Sequence, residues 1–219
     1  MRTKKYLRIV LLCFVLLFSI ANIAKAENVQ NPFYLGLEAG FITKGNYSRQ
    51  ASKLLQKQKK NAYFTHDRQD TGLAIRARAG VSVPETKLNV GAMLEVGDLP
   101  SFYYYDPDSY SVDTYGQGYF YRIMVDLDYF IFGNAAEYYG LALSAGLGRS
   151  GLFIESASDP GFYDYYSGGS FETGAKMLLK ISDRIRLNIN AFYGFIVLSD
   201  SNETSYRAAQ ISAGTQIRF

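Results

Sequence analysis

The sequence predicts an all-β fold, an eight-stranded antiparallel up-and-down transmembrane barrel. Three observations predict it. Apolar residues recur at every second position over eight long runs, the connections alternate between short and long, and aromatic residues gather at the run ends. With 19 Tyr, 15 Phe, 20 Gly and only five Pro in 219 residues, the chain is too aromatic to be disordered. One Cys and one His exclude a disulfide scaffold, a Cys-based zinc site and most His-driven catalysis. No cofactor and no metal are expected.

Residues 1–26 read as a cleaved secretory signal peptide. Arg2, Lys4, Lys5 and Arg8 precede an apolar stretch at 9–20, and Ala24-Lys25-Ala26 supplies the small-x-small cleavage pattern. The stretch falls short of the ~20 residues a spanning helix needs. With Lys25, the leader holds five of the 23 basic residues and no acid. Residues 27–219, the expected barrel domain, therefore carry 18 basic against 20 acidic groups. That balance gives no reason to expect a nucleic-acid partner.

The runs follow in order. In the first, 33–42, Phe33, Leu35, Leu37, Ala39 and Phe41 alternate with Tyr34, Gly36, Glu38 and Gly40. The second, 72–83, sets Leu73, Ile75, Ala77 and Val81 against Arg76, Arg78 and Gly80. The third, 88–97, opposes Val90, Leu94 and Val96 to Gly91 and Glu95. The fourth, 119–131, has Ile123, Val125 and Leu127 on one side and Arg122, Asp126 and Asp128 on the other. In the fifth, 139–148, Leu141, Leu143 and Leu147 alternate with Ser144, Gly146 and Gly148. The sixth, 171–181, opposes Phe171 and Met177 to Glu172 and Lys176. The seventh, 185–197, sets Leu187, Ile189 and Phe195 against Arg186, Asn188 and Asn190. The eighth, 210–219, alternates Ile211, Ala213 and Ile217 with Gln210, Ser212 and Gln216.

Short turns fall at 84–87, 133–137 and 182–184. Long loops are expected at about 44–69, 98–118, 149–169 and 199–205. Runs of ten or more residues suit a tilted membrane crossing, whereas strands of water-soluble proteins average nearer six. A soluble barrel or sandwich would show the same period with its apolar face inward. Glycine interleaved with charge on the polar face instead fits a narrow interior, and the aromatic run ends fit interfacial girdles.

In its opening Phe33-Tyr34-Leu35-Gly36-Leu37-Glu38-Ala39-Gly40 and closing Gly214-Thr215-Gln216-Ile217-Arg218-Phe219, the chain resembles the small OmpA-type and Opa/OmpX-like eight-stranded outer-membrane proteins. The resemblance implies a place in the Gram-negative outer membrane, among its lipid and lipopolysaccharide. It puts both mature termini in the periplasm and four loops outside. It also implies that Phe219 belongs to the terminal signal read by the barrel assembly machinery.

Turning the polar face inward puts Glu38, Glu95, Asp126, Asp128 and Glu172 in the lumen with Arg76, Arg78, Arg122, Lys176 and Arg186. Eight strands leave room inside only for side chains, and an unpaired buried ion is expensive. These ten charges are expected to pair as a solid polar core. The alternative is a gated narrow pore whose pairs rearrange.

Function is then expected on the loops. The first is basic, with Lys53, Lys57, Lys59 and Lys60 placed to meet lipopolysaccharide phosphates or acidic host glycans, or simply solvated. A short helix is expected at 49–60. The second and third carry Tyr103, Tyr104, Tyr105 and Tyr110, then Tyr163, Tyr165 and Tyr166. Tyrosine is an efficient recognition residue, so host-cell surface or serum proteins are candidate partners. The other reading is that the strands extend beyond the bilayer and the rings pack on one another. His66, with no nucleophile or orienting acid marked around it, reads as an exposed loop histidine. The expected role is non-enzymatic recognition of the adhesion, invasion or serum-resistance type. The alternatives are porin-like transport and a structural envelope role.

Overall fold

A period of two puts apolar side chains on one face of an extended backbone, and each alternating run forms a strand. The computed structural model describes residues 33–43, 45–47, 49–50, 53, 63–67, 71–83, 86–106, 111–133, 139–155, 163–198 and 205–219. The leader expected at 1–26 lies outside the described residues. The strands are β1 (Phe33–Thr43), β2 (Tyr63–Asp67), β3 (Thr71–Ser82), β4 (Leu88–Asp106), β5 (Ser111–Gly133), β6 (Tyr139–Glu155), β7 (Tyr163–Lys180), β8 (Ile185–Leu198) and β9 (Ser205–Arg218).

All pairings are antiparallel, in the order β4-β3-β1-β9-β8-β7-β6-β5, and β5 pairs back to β4 to close the ring. β9 meets β1 from Tyr34↔Arg218 to Ile42↔Gln210. β3 takes the edge of β4 as far as Ala74↔Gly97, and β2 takes the same edge beyond it, from Asp67↔Phe102 to Tyr63↔Tyr105. Nine segments thus build an eight-lane barrel.

The connections differ from expectation. Most of 98–118 and 149–169 is strand rather than loop, and only 107–110 and 156–162 separate the hairpin arms. His66 likewise lies on β2 by its backbone, not in a loop. Beyond the membrane neither strand face must be apolar, so alternation fades while backbone pairing continues. Cross-strand pairs such as Tyr103↔Tyr115 and Phe153↔Tyr165 carry the ladder outward.

The outward face is apolar around the ring. Leu147 is 69% exposed, and Val125, Leu143, Ile189 and Ile211 are also exposed. Such a surface has no place in water, and a closed ladder leaves no free edge within it. Both properties suit a bilayer. Phe132 and Tyr139 stack at 5.3 Å toward the short-turn end. Toward the other end Tyr193 meets Phe195 at 4.9 Å, and Phe153 meets Tyr165 at 5.1 Å.

The interior is layered, not polar throughout as expected. Phe130, Ala142 and Leu178 fill the short-turn end. A charged layer follows. Above it lies an apolar cap that includes Ile42, Phe120, Leu152, Ile154, Ile196 and Tyr206. Tyr47 completes the cap, 1% exposed, its ring edge-on to Tyr206 at 5.7 Å.

The chain reaches that position through a tight exit from β1. Gly45 has φ +50°, and a Cβ there would lie 1.8 Å from the Arg207 carbonyl oxygen. Asn46 N–H donates to that carbonyl at 3.2 Å, and its side-chain oxygen accepts from Arg207 N–H at 2.6 Å. Tyr47, Arg49, Gln50 and Lys53 are helical, within or beside the predicted helix. Tyr47→Ala is expected to loosen this segment while the barrel stays folded. Losing ~1.4 kcal/mol or more of local packing would raise tryptic cleavage after Arg49 and Lys53 about tenfold. Unchanged cleavage would show that the ring does not hold the segment down.

Candidate functional site

The ten charged residues expected in the lumen are all buried and face inward. Nine of them join in ion pairs. Arg76 on β3 donates to Glu172 on β7 through Nη1 at 3.0 Å and Nη2 at 2.8 Å. These strands stand four lanes apart in a ring of eight, so the contact crosses the full width of the lumen. Arg76 Nη2 also reaches Glu95 at 3.3 Å. Arg122 pairs with Glu95 and with Glu172, the latter at 3.1 Å, and its Nε donates to Glu95 at 2.6 Å. Arg78 pairs with Asp126 and, through Nε at 3.0 Å, with Glu38. Lys176 pairs with Asp128, which also accepts from Ser144 Oγ at 2.5 Å.

Arg186 departs from the expected pairing. It is buried near the short-turn end and makes no ion pair with a described carboxylate. In the exposed turn beside it, Lys180 donates to Asp183 at 2.6 Å and holds that carboxyl below the usual range.

Uncharged side chains complete the network. Gln210 accepts from Arg76 and Arg122, each at 3.1 Å, and donates to Glu95 at 2.6 Å. Asn188 donates to Glu38 at 2.8 Å, and Ser212 Oγ does so at 3.2 Å. Sequence reading singled out none of the three, though each shares the polar face of its run. Phe192 lies under two guanidinium groups, 4.6 Å from Arg76 and 5.3 Å from Arg78. Glycines make room for the large groups. A Cβ at Gly194 would sit 2.8 Å from Arg122 Nη1, and one at Gly91 would sit 2.8 Å from the hydroxyl of buried Tyr34.

Between the charges and the cap is a small cavity, with about 20 Å³ open to the centre of a water molecule. Arg122 and Gln210 line it below, and Ile42, Phe120, Ile196 and Tyr206 above. That is room for about one water, not a solute.

The second expected surface lies on the hairpins. By backbone, Tyr103, Tyr104 and Tyr105 are on β4, and Tyr163, Tyr165 and Tyr166 on β7. Tyr165 is exposed, shares a 2.8 Å hydrogen bond with the Tyr121 hydroxyl and packs on Phe153, while Tyr166 packs against the cap. Lys53 is exposed. Lys57, Lys59, Lys60 and Tyr110 lie outside the described residues. Phe219 follows β9 and is half-buried.

No family model matches the chain, and no curated protein does. Solved structures do. Neisserial surface protein A is 14% identical over 86% of this chain and 97% of its own, with a TM-score of 0.56. OprG of Pseudomonas aeruginosa is 10% identical over 88% and 99%, at 0.48. Ail of Yersinia pestis, solved with the heparin analogue sucrose octasulfate, is 15% identical over 85% and 99%, at 0.42. The fold is that of the small outer-membrane barrels.

Proposed function

We propose that the chain is a non-enzymatic surface protein of the Gram-negative outer membrane, acting through recognition at its long-hairpin end. The observation that carries this reading is strand length. A tilted crossing takes about 9–11 residues. β5 has 23, β4 has 19 and β7 has 18, whereas β1 has 11. Two hairpins rich in tyrosine therefore continue well past the bilayer on one side of the barrel. Rigid aromatic area with a polar tip on a stiff support is a good recognition surface.

In this reading residues 1–26 are removed on export and residues 27–219 form the barrel domain. Its termini face the periplasm, and the assembly machinery reads the end at Phe219. Lys53, Lys57, Lys59 and Lys60 add a basic patch that favours acidic glycans or lipopolysaccharide phosphates. A pore would require Arg76 and Glu172 to part and the Tyr47 cap to lift, so transport is the weaker reading. The ten lumen charges are assigned to cohesion.

The test is to display the barrel on a non-adherent bacterium and count cells bound to epithelial cultures and to immobilised serum proteins. Binding should fall to background when 99–117 and 152–166 are replaced by short turns, surface display being confirmed in both strains. Undiminished binding would sink the recognition reading. Conductance of the intact barrel in a planar bilayer would favour transport, and envelope leakage without binding would favour a structural role.

A further inference from the structure

The outward face carries two arginines that the lumen network and the hairpins leave unexplained. Arg149 on β6 and Arg207 on β9 are both exposed, and each continues the outward-facing series of its strand, after Leu147 and before Ala209. Inside the barrel Arg76, Arg78 and Arg122 each have carboxylate partners. Neither outward arginine has one among the described residues. Asp98, an acid at the rim of the same face, is instead tied to the Leu73 N–H at 2.7 Å.

Position matters as much as charge. Arg149 lies between the apolar belt and an aromatic cluster. Leu147 is on its inner side, and Tyr121, Phe153 and Tyr165 pack together beyond it. Interfacial aromatics mark the headgroup level of a bilayer, so Arg149 stands where acyl chains meet headgroups. The next strand opposes it with Gly169, where an added Cβ would meet nothing within 4 Å. Arg207 lies with its guanidinium 5.6 Å from the centroid of the Phe195 ring, and Phe195 packs on Phe171 at 6.2 Å. The two arginines thus flank an aromatic shelf with a glycine gap beside it. Three lanes separate them, about 14 Å across the strands.

A cation at the edge of a hydrocarbon belt, without a counter-ion among the described residues, calls for an anion from the lipid itself. We propose that Arg149, Arg207 and the Phe171–Phe195 shelf form a binding site for a saccharolipid with two phosphates. Each guanidinium takes one phosphate, the sugars lie over the shelf, and the acyl chains run down the belt past Leu147 and Ile211. Two separated cations select a headgroup phosphorylated at both ends over a single phosphate. The inference rests on the membrane-spanning fold and not on the recognition reading, so either can fail alone.

The test uses the mature chain purified in a zwitterionic detergent, with heat-induced unfolding followed by gel mobility. Diphosphoryl lipid A should raise the unfolding temperature, monophosphoryl lipid A should raise it less, and phosphatidylcholine not at all. Arg149→Gln and Arg207→Gln should each weaken diphosphoryl lipid A binding about tenfold, and the double variant should lose the shift. Stability without lipid should stay at the wild-type value. Lys87→Gln, an exposed change at the short-turn end, should keep the full response. A double variant that still responds, an equal response to phosphatidylcholine, or an equal shift from inorganic phosphate would each overturn the proposal.

Discussion

Glu172→Leu is expected to destabilise the barrel by about 3–5 kcal/mol, read as a lower urea midpoint for unfolding in detergent micelles. The magnitude follows from its place in the network. Three guanidinium groups converge on this carboxylate, those of Arg76, Arg78 and Arg122. Removing it leaves five buried positive groups against four acids. Glu95 still holds Arg122 and touches Arg76, so the collapse is partial. The apolar side chain fills the space but neutralises nothing. A loss below ~1 kcal/mol would show that these charges are not paired in the lumen.

Gly214→Val is expected to be as damaging by a different route. Gly214 pairs with Glu38 on the seam between the first and last barrel strands. An added Cβ would lie 2.0 Å from the Leu37 carbonyl oxygen and 2.6 Å from Glu38 Cα. Both are backbone atoms, so no side chain can turn aside and the strands must separate. Overpacking of ~1–3 kcal/mol, plus about 1 kcal/mol for each ladder bond lost, amounts to ~3 kcal/mol or more. The folded, heat-modifiable species should nearly vanish on refolding. Ala213→Val, one residue away and facing outward, is the control and should refold normally. Equal yields from the two would show that the seam has room.

How much of this was legible beforehand depended on what the membrane demands of each residue. Within the bilayer every second side chain must be apolar, so the eight lanes could be read from period alone. The minority charges, from Glu38 to Arg186, fell on the opposite face. Their partners could not be read. Arg76 and Glu172 are 96 positions apart and meet only because the register of every intervening strand adds up correctly. Gln210, on the polar face of the last run with Gln216, was not singled out because an uncharged amide does not demand a partner as a buried ion does, yet it bridges two arginines and a glutamate. Tyr47 sat in a basic loop with no periodicity to point it inward. The outer parts of β4, β5, β6 and β7 read as loops in the sequence because past the headgroups the requirement that fixes alternation lapses.

The cross-lumen contacts also set an order of events. Hairpins such as β6–β7 can zip locally, one neighbour after another, long before the ring exists. The Arg76–Glu172 and Arg122–Gln210 contacts join strands on opposite walls, so they cannot form until the sheet has curled. An interaction absent from the folding transition state leaves the folding rate untouched and lowers the unfolding rate. The contacts between opposite walls thus act as a latch set after curling, unlike Glu95–Arg122 on neighbouring strands, and the barrel's persistence in the membrane is a matter of escape rate as much as of equilibrium.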